Sequence, residues 1–269
     1  MPTIYEAPSN ASILAAAERL AAVVDRPCAP VRDLLGGTEI DAAYAVQQRL
    51  TDQRVAAGAR ITGRKIGLTS PAVQHQLGVN QPDFGVLFAD MDVSALSEVP
   101  SGRLLQPKAE AEVAFELGAD LIDGDLDEAQ VRAAVACAAA AIEIVDSRIA
   151  DWDITITDTI ADNGSSGLYV LGDRWLTLDE FEPREVRMQL FSDEELVSEG
   201  TGAACLGDPL TALAWLARTA RDYGHPLRAG QVVLSGALGP MVPTPPGTTI
   251  RAELSTLGTV TATFSKDNS

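Results

Sequence analysis

The stretch that decides the fold is AEAEVAFEL, residues 109–117. Its odd-numbered positions are apolar and its even-numbered positions are mostly acidic, which is the period of a β-strand with one buried and one polar face. Glu110 and Glu112 therefore leave the same face of the predicted strand, about 6.5 Å apart along the backbone. The pattern predicts a sheet that carries a pair of carboxylates on one side.

The residues before this strand favour helices. Apolar residues at helical spacing from Ile13 predict a first helix, with Asn10 or Ser12 as its N-cap. A second helix is predicted from Thr38, where Thr38 and Asp41 imitate a capping box, to a stop at Gly58.

The residues after the strand mix both patterns without regular alternation. An alanine-rich helix is predicted over residues 127–140, followed by a strand over 141–145. Asp208 and Pro209 predict the start of another helix, which ends at Gly224. Closing strands are predicted over residues 232–235, 249–254 and 259–264. The fold class is therefore α+β and mainly antiparallel, with a helical N-terminal portion (residues 1–62) on a mixed body (residues 63–269), together one compact unit.

Charge and cysteine content limit the partners. The 269 residues include 38 acidic and 20 basic ones, a net charge of −18. A nucleic acid or an anionic membrane surface would be repelled, whereas a small organic acid can still bind at a local cation. Three scattered cysteines, no basic-then-apolar leader and no apolar run longer than ten residues predict a cytoplasmic protein.

Several common catalytic motifs are missing from the sequence. It contains no GxxxxGK[ST], GxGxxG or GxSxG. Only His75 and His225 are histidines, which excludes a three-histidine zinc site, and His225 is predicted on a surface loop. The acidic run 120–128 (DLIDGDLDE) lacks the glycine and the distal glutamate of a calcium loop, and is interpreted as a solvated turn.

Glu143 turns the pair of carboxylates into a candidate metal site. It interrupts the apolar run AAAAIEIV, where a buried, unpaired carboxylate would be unfavourable. A solvated strand face is the alternative for Glu110 and Glu112 alone. As a third oxygen ligand, Glu143 favours a site for a hard cation such as Mg²⁺ or Mn²⁺.

Seven motifs in order carry a family resemblance: GRKIGLT (63–69), QPDFGVLFADM (81–91), QPKAEAEVAF (106–115), IEIVDSRIADW (142–152), TIADNGSSG (159–167), GAACLGDPL (202–210) and LSGALGPMV (234–242). From about residue 63 to 264 the chain resembles the 2-keto-4-pentenoate hydratase family of the fumarylacetoacetate hydrolase superfamily. The resemblance implies a fumarylacetoacetate-hydrolase C-terminal-domain-like mixed β-roll, a divalent cation, and hydration of 2-hydroxypenta-2,4-dienoate to 4-hydroxy-2-oxopentanoate in meta-cleavage catabolism of aromatic compounds.

The resemblance also implies site residues. Its metal ligands fall on Glu110, Glu112 and Glu143, so the site expected from the residues and the family site coincide. Its active-site lysine, acid and serine fall on Lys65, Asp83 and Ser165, which are the expected catalytic residues. Lys65 either steadies the substrate carboxylate or supplies a proton, and Asp83 activates water.

Alternatives stay open at this point. The nearest is the metal-dependent 2-oxo-3-hexenedioate (4-oxalocrotonate) decarboxylase of the same family, which shares the metal motif. Hydratases for longer or dicarboxylic dienoates are another, and a non-catalytic subunit that binds a partner enzyme is the third. A homo-oligomer, and association with another pathway enzyme, are expected partners beside the small 2-hydroxydienoate or 2-oxo acid substrate.

Overall fold

The structure is a computed structural model that describes residues 8–70, 74 and 81–266. His75, one of the two histidines considered above, lies outside the described residues. Among the described residues, no helix combines the length and the apolar character needed to cross a membrane.

Three helices precede the first strand, and three more are distributed through the rest of the described chain. Their bounds are α1 (Asn10–Ala21), α2 (Arg32–Leu35), α3 (Ile40–Ala56), α4 (Glu128–Ala134), α5 (Ile156–Ala161) and α6 (Pro209–Asp222). The predicted start of α6 is confirmed, because the Asp208 side chain accepts a hydrogen bond from the Leu210 N–H at 2.8 Å.

Eleven strands lie in the described residues: β1 (Ile61–Gly67), β2 (Asp83–Phe88), β3 (Lys108–Leu117), β4 (Val135–Val145), β5 (Ser166–Leu171), β6 (Arg187–Ser192), β7 (Glu195–Thr201), β8 (Val232–Leu234), β9 (Val242–Pro243), β10 (Thr249–Leu254) and β11 (Gly258–Thr263). The larger sheet has the order β2-β1-β8-β3-β4-β5, and β9 also pairs with β3. The smaller sheet has the order β11-β10-β6-β7. Their ladders are antiparallel except for the parallel pair of β1 and β8, which confirms the mainly antiparallel α+β prediction.

Strand β3 has the two faces that the alternation predicts. The side chains of Ala109, Val113 and Phe115 are all fully buried in the main hydrophobic core, to which α1, α3 and α6 also contribute. The opposite face carries Glu110 and Glu112. Because every second residue changes face, burial of the apolar set holds both carboxylates on the other side of the sheet.

The predicted boundary between α4 and β4 was wrong. The helix ends at Ala134 and the strand begins at Val135, whereas the helix was predicted to continue to about Ala140. Strand β4 lies between β3 and β5, and residues 138–145 are buried. A strand that is covered on both faces shows no polar alternation, so its alanine run has the composition of a helix while tertiary pairing sets its conformation.

Two predicted helix caps were also wrong. The N-cap of α1 is Ser9, whose hydroxyl accepts from the Ser12 N–H, rather than Asn10 or Ser12. Helix α3 begins two residues after Thr38, and its N-cap has no side-chain cap hydrogen bond. The Thr38 hydroxyl donates to the neighbouring Glu39 carboxylate instead, which leaves the predicted capping box unformed.

Candidate active site

Three glutamates come together where β3 and β4 pair. The register places Glu110 directly opposite Glu143, and Glu112 follows two residues further along the same face of β3. One carboxylate oxygen from each residue lies within 4.8 Å of the other two. Glu112 is 0% exposed and Glu143 is 1% exposed, so these two carboxylates are removed from water.

The carboxylate cluster leaves acceptor atoms unused. Oε2 of Glu112 accepts from the Gly236 N–H at 2.7 Å, but Oε1 of Glu112 and Oε2 of Glu143 have no hydrogen-bond partner among the described residues. Burial, reinforced by the neighbouring carboxylates, raises the pKa of Glu110 to about 7 and that of Glu112 well above its ordinary value. Converging buried oxygens without donors fit a hard divalent cation, which would supply the missing positive charge.

Lys65 extends from β1 to the same cluster. Its Nζ lies 3.1 Å from Oε1 of Glu143, and the residue is only 2% exposed. Burial lowers the pKa of Lys65, but the nearby carboxylates, Glu143 before Asp83, outweigh it and hold that pKa above its ordinary value. The ammonium is therefore charged and forms a buried ion pair.

Asp83 opens β2 opposite Gly67 of β1, beside Lys65. The Thr159 hydroxyl of α5 donates to Oδ2 of Asp83 at 3.1 Å, while Oδ1 has no hydrogen-bond partner among the described residues. A Cβ atom at position 67 would overlap Oδ1, so a glycine there leaves room for the carboxylate. Burial raises the pKa of Asp83, and the charge of Lys65 opposes that rise.

Ser165 lies close to this group without a hydrogen bond to it. Its hydroxyl donates to Oδ2 of Asp162 at 3.1 Å, and its φ of 49° belongs to a tight left-handed turn. The preceding residue, Gly164, packs against the aliphatic part of Lys65, where an added Cβ would lie 3.2 Å from Cδ. The structure thus places the Ser165 backbone beside the site and turns its hydroxyl towards Asp162.

Asp162 is a buried carboxylate that accepts several hydrogen bonds, and the sequence did not indicate it as a site residue. It accepts hydrogen bonds from Ser147, Ser165 and Arg148, and Nε of Arg148 lies 2.6 Å from its Oδ1. Thr159 and Gly236 were also missed as partners of the site. Asp162 and Thr159 lie in the run TIADNGSSG (159–167), and this polar, glycine-containing run was the available signal.

Lys108 is a further residue near the site that the sequence reasoning missed. It precedes Glu110 by two positions on β3, so it continues the same row of side chains. Its ammonium lies over the Trp152 ring, 4.2 Å from the centroid. The spacing K-x-E-x-E was the signal that could have found it. His225 is exposed after the end of α6, as predicted.

Comparison with known proteins gives consistent similarities. Residues 72–265 match the fumarylacetoacetate (FAA) hydrolase C-terminal family. A TodF product hydratase from Pseudomonas putida is 54% identical over 237 residues, covering 88% of each chain. A 2-keto-4-pentenoate hydratase from Burkholderia vietnamiensis is 51% identical over 253 residues, covering 94% of this chain and 97% of the relative.

A solved structure superposes over nearly the whole chain. The 4-oxalocrotonate decarboxylase from Pseudomonas putida G7, complexed with magnesium and adipate, superposes with a TM-score of 0.91 at 30% identity. The match covers 97% of this chain and all of the decarboxylase chain. The sequence relatives and the solved structure therefore each match most of the chain.

Proposed function

The chain belongs to the fumarylacetoacetate hydrolase family and, within it, to the 2-keto-4-pentenoate hydratases, and we propose that it hydrates 2-hydroxypenta-2,4-dienoate or a close homologue to 4-hydroxy-2-oxopentanoate. The proposal places this hydro-lyase reaction in meta-cleavage catabolism of aromatic compounds. The single observation that carries it is the cluster of Glu110, Glu112 and Glu143 with the buried Lys65 beside it.

We propose Glu110, Glu112 and Glu143 as the residues that hold the divalent cation. The magnesium in the decarboxylase structure supports a cation of this class, and the all-oxygen donor set suits Mg²⁺ or Mn²⁺. When bound, such a cation supplies Lewis-acid stabilisation of negative charge on the enol oxygen and carboxylate of the substrate. The unused buried oxygens of Glu112 and Glu143 are the local support for this role.

Lys65 is the proposed proton donor. Hydration of the dienol needs a proton at the far carbon, which produces an α,β-unsaturated ketone. The Lys65 ammonium is charged and buried, and it lies against the Glu143 carboxylate of the site. Once a cation offsets the carboxylate charges, burial favours release of its proton, because burial lowers the pKa of a lysine.

Asp83 is the proposed base for water. Addition of water to the unsaturated ketone requires removal of a water proton next to the reacting carbon. Oδ1 of Asp83 is free to accept that proton, while Thr159 holds the other oxygen in place. Burial raises the pKa of Asp83, which makes its carboxylate a stronger base. Ser165 stays a proposed catalytic residue on the family resemblance, since its hydroxyl is bonded to Asp162.

The decisive experiment measures the products. Purified protein with Mg²⁺ or Mn²⁺ is given 2-hydroxypenta-2,4-dienoate and, separately, 2-oxo-3-hexenedioate, and the 4-hydroxy-2-oxo acid and CO₂ are quantified. We expect loss of dienol absorbance with formation of the hydroxy-oxo acid. The decarboxylase similarity, 30% identity over nearly the whole chain, keeps decarboxylation as the second candidate. Preferential CO₂ release from the dicarboxylate would assign the protein to that branch.

Two properties of the whole molecule are also part of the proposal. Strand β7 is an edge strand with Leu196 and Val197 exposed, which is a surface that favours pairing with another copy of the chain. The free cysteines Cys28, Cys137 and Cys205 suit a reducing compartment, which supports a cytoplasmic location. The exposed edge of β7 supports a homo-oligomer.

A further inference from the structure

Lys108 is the outer member of a row of side chains on β3. The row consists of Glu112, Glu110 and Lys108, which are two residues apart and share one face. Glu112 is fully buried, whereas Glu110 and Lys108 are partly exposed. The partly exposed end of the row is therefore the end that carries Lys108.

Lys108 forms no ion pair within the part of the chain that the structure describes. No carboxylate oxygen of the described residues lies within 4.0 Å of its Nζ, although the chain has 38 acidic residues. Its cation is instead placed over the face of Trp152. A ring face occupies one side of an ammonium, so the remaining N–H donors of Lys108 are free to bind an anion.

The lysine content supports a particular role for this residue. Of the 20 basic residues only three are lysines, namely Lys65, Lys108 and Lys266, and the other 17 are arginines. Two of these three lysines lie at the candidate site. Lys266 is exposed near the end of the chain and offers a matched control with the same charge.

The position of the Trp152 ring is fixed by the loop that follows β4. The indole N–H donates to the Gln106 carbonyl at 3.0 Å, directly before β3. Asp151 and Trp152 both have positive φ, 59° and 55°, which turns the chain back towards β3. The Gln106 side chain donates to the carbonyls of Ser147 and Ile149 in the same loop. The ring is therefore a fixed platform for the ammonium.

We propose that Lys108, placed over Trp152, binds the carboxylate of the incoming 2-hydroxydienoate. The inference rests on the proposed function for the nature of the substrate. It gives the substrate a direction: the carboxylate lies at the outer end of the row, and the far carbon points inwards to Lys65 and Asp83. Lys65 is then left for proton transfer, and Lys108 provides the local cation that a protein of charge −18 needs to bind an anion.

A binding experiment tests this without turnover. The full chain saturated with Mg²⁺ is titrated calorimetrically with 2-oxopentanoate, a saturated acid that cannot be hydrated, and with its neutral amide, 2-oxopentanamide. The variants are Lys108→Gln, Lys108→Arg, the control Lys266→Gln, and Trp152→Leu as a change of the platform alone. The Kd for Mg²⁺ is measured for each variant, so that an altered metal site is recognised.

The expected result is selective for the carboxylate. Lys108→Gln weakens 2-oxopentanoate binding roughly tenfold, the loss of one charge-assisted contact, and leaves 2-oxopentanamide binding unchanged. Lys108→Arg restores most of the affinity, Trp152→Leu gives a smaller acid-specific loss, and Lys266→Gln behaves as wild type.

Two outcomes would overturn the proposal. One is wild-type affinity of Lys108→Gln for the acid, and the other is an equal loss for the acid and the amide. If Lys108→Gln does not fold, binding of 2-oxopentanoate and 2-oxopentanamide is compared in Trp152→Leu instead. An unchanged affinity of Trp152→Leu for 2-oxopentanoate would then also overturn the proposal. Failure of the proposed function is recognised separately, because the wild-type protein would then bind 2-oxopentanoate through Lys108 and yet form no hydrated product from the dienoate.

Discussion

Nζ of Lys65 lies 3.1 Å from Oε1 of Glu143, and both side chains are almost completely buried. Among the described residues, this ammonium forms the one ion pair of Glu143, which lies beside two further glutamates. A buried ion pair is strongly destabilised by removal of one partner, because the other is left as an unpaired charge. The free energy of unfolding should therefore depend on Lys65 and on the metal together.

Lys65→Met is expected to destabilise the metal-free protein by about 3–5 kcal/mol, because Glu143 loses its partner. Saturating Mg²⁺ should recover part of that loss, since the cation supplies an alternative positive charge. Hydration activity should be lost in both conditions, while Mg²⁺ affinity is retained or increased. Urea unfolding with a chelator and with Mg²⁺, together with calorimetric titration of Mg²⁺, measures these effects.

Arg64→Met is the matched control for this change. Arg64 precedes Lys65 on β1 and is 6% exposed, but its Nε has no hydrogen-bond partner and no ion pair involves it among the described residues. Its replacement should alter stability by the same amount with and without Mg²⁺. A Mg²⁺-independent effect of Lys65→Met as well would show that the ion pair is not coupled to the metal site.

Glu110→Gln is expected to raise the Kd for Mg²⁺ by at least about tenfold, because the amide replaces a charged ligand. The control is Glu116→Gln, which lies on the same face of β3 opposite Cys137 and outside the cluster. We expect Glu116→Gln to bind Mg²⁺ like wild type. Greater damage from Glu116→Gln, measured by calorimetry, would mean that the wrong members of that face were chosen.

Metal binding should depend on pH through the raised pKa of Glu110, about 7 in the metal-free protein. Below that pH a proton must leave before the carboxylate can bind, so Mg²⁺ affinity should fall roughly tenfold per pH unit as the pH drops. Proton release is measured by titrating Mg²⁺ in two buffers with different ionisation enthalpies. Binding without proton release near neutral pH would contradict the prediction.

The same raised pKa predicts the sign of a stability change. The folded protein without metal holds the Glu110 proton up to about pH 7, whereas the unfolded chain releases it near its ordinary pKa of 4.5. The contribution to stability is therefore present at acid pH and is lost as the pH rises through about 7. The urea midpoint of chelator-treated protein should fall as the pH rises from 4.5 to about 7. Glu110→Gln should make this midpoint less dependent on pH.

Local sequence patterns predicted the strand and the three glutamates of the candidate site. They did not predict which strands pair with each other or how far β4 extends. The alternation in β3 placed Glu110 and Glu112 on one face, and the polar break at Glu143 indicated a third carboxylate. The extent of β4 was missed because its alanine run has no alternation when both faces are buried. Which residues meet across the sheet is a property of register, and composition does not encode it.

Local sequence patterns also could not predict the contacts around the proposed catalytic residues, because these contacts join residues that are far apart in the sequence. Thr159 approaches Asp83 over 76 positions of sequence, and Gly236 approaches Glu112 over 124. The family resemblance implied Lys65, Asp83 and Ser165 as site residues. It did not show that Ser165 donates to Asp162, because a hydroxyl direction follows from the turn geometry.

Ser165 can be separated from its structural role by comparison with Ser147. Both hydroxyls donate to Oδ2 of Asp162 at 3.1 Å, so Ser165→Ala and Ser147→Ala each remove one hydrogen bond to this carboxylate. Ser147→Ala also removes the bond that its hydroxyl accepts from the Ile149 N–H at 3.1 Å. Each is expected to lower stability by about 1.5–3 kcal/mol, the range for a bond to a charged group. If Ser165 acts in the reaction, only Ser165→Ala lowers kcat further. Equal kcat values for the two variants would leave Ser165 as a structural residue.

Asp83→Asn tests whether Asp83 acts in water addition and not in ketonisation of the dienol. The amide keeps the shape of the side chain but cannot take a proton from water, so water addition should be impaired while ketonisation of the dienol continues. In D₂O the variant should incorporate deuterium into the substrate at a rate near wild type and form little hydrated product. Nuclear magnetic resonance of the recovered substrate and product separates the two steps.

Thr159→Val provides the graded control, because it removes the hydroxyl that donates to Oδ2 of Asp83 and leaves the carboxylate in place. Thr159→Val should slow hydration less than Asp83→Asn does, because the carboxylate is still present but less well positioned. The pKa of Asp83 should also change. Loss of one stabilising hydrogen bond raises the pKa of that carboxylate, so the acid limb of the pH–rate profile should move to higher pH in Thr159→Val. Equal loss of exchange and hydration in Asp83→Asn would leave Asp83 as a general binding or structural residue, and wild-type rates would remove it from the site.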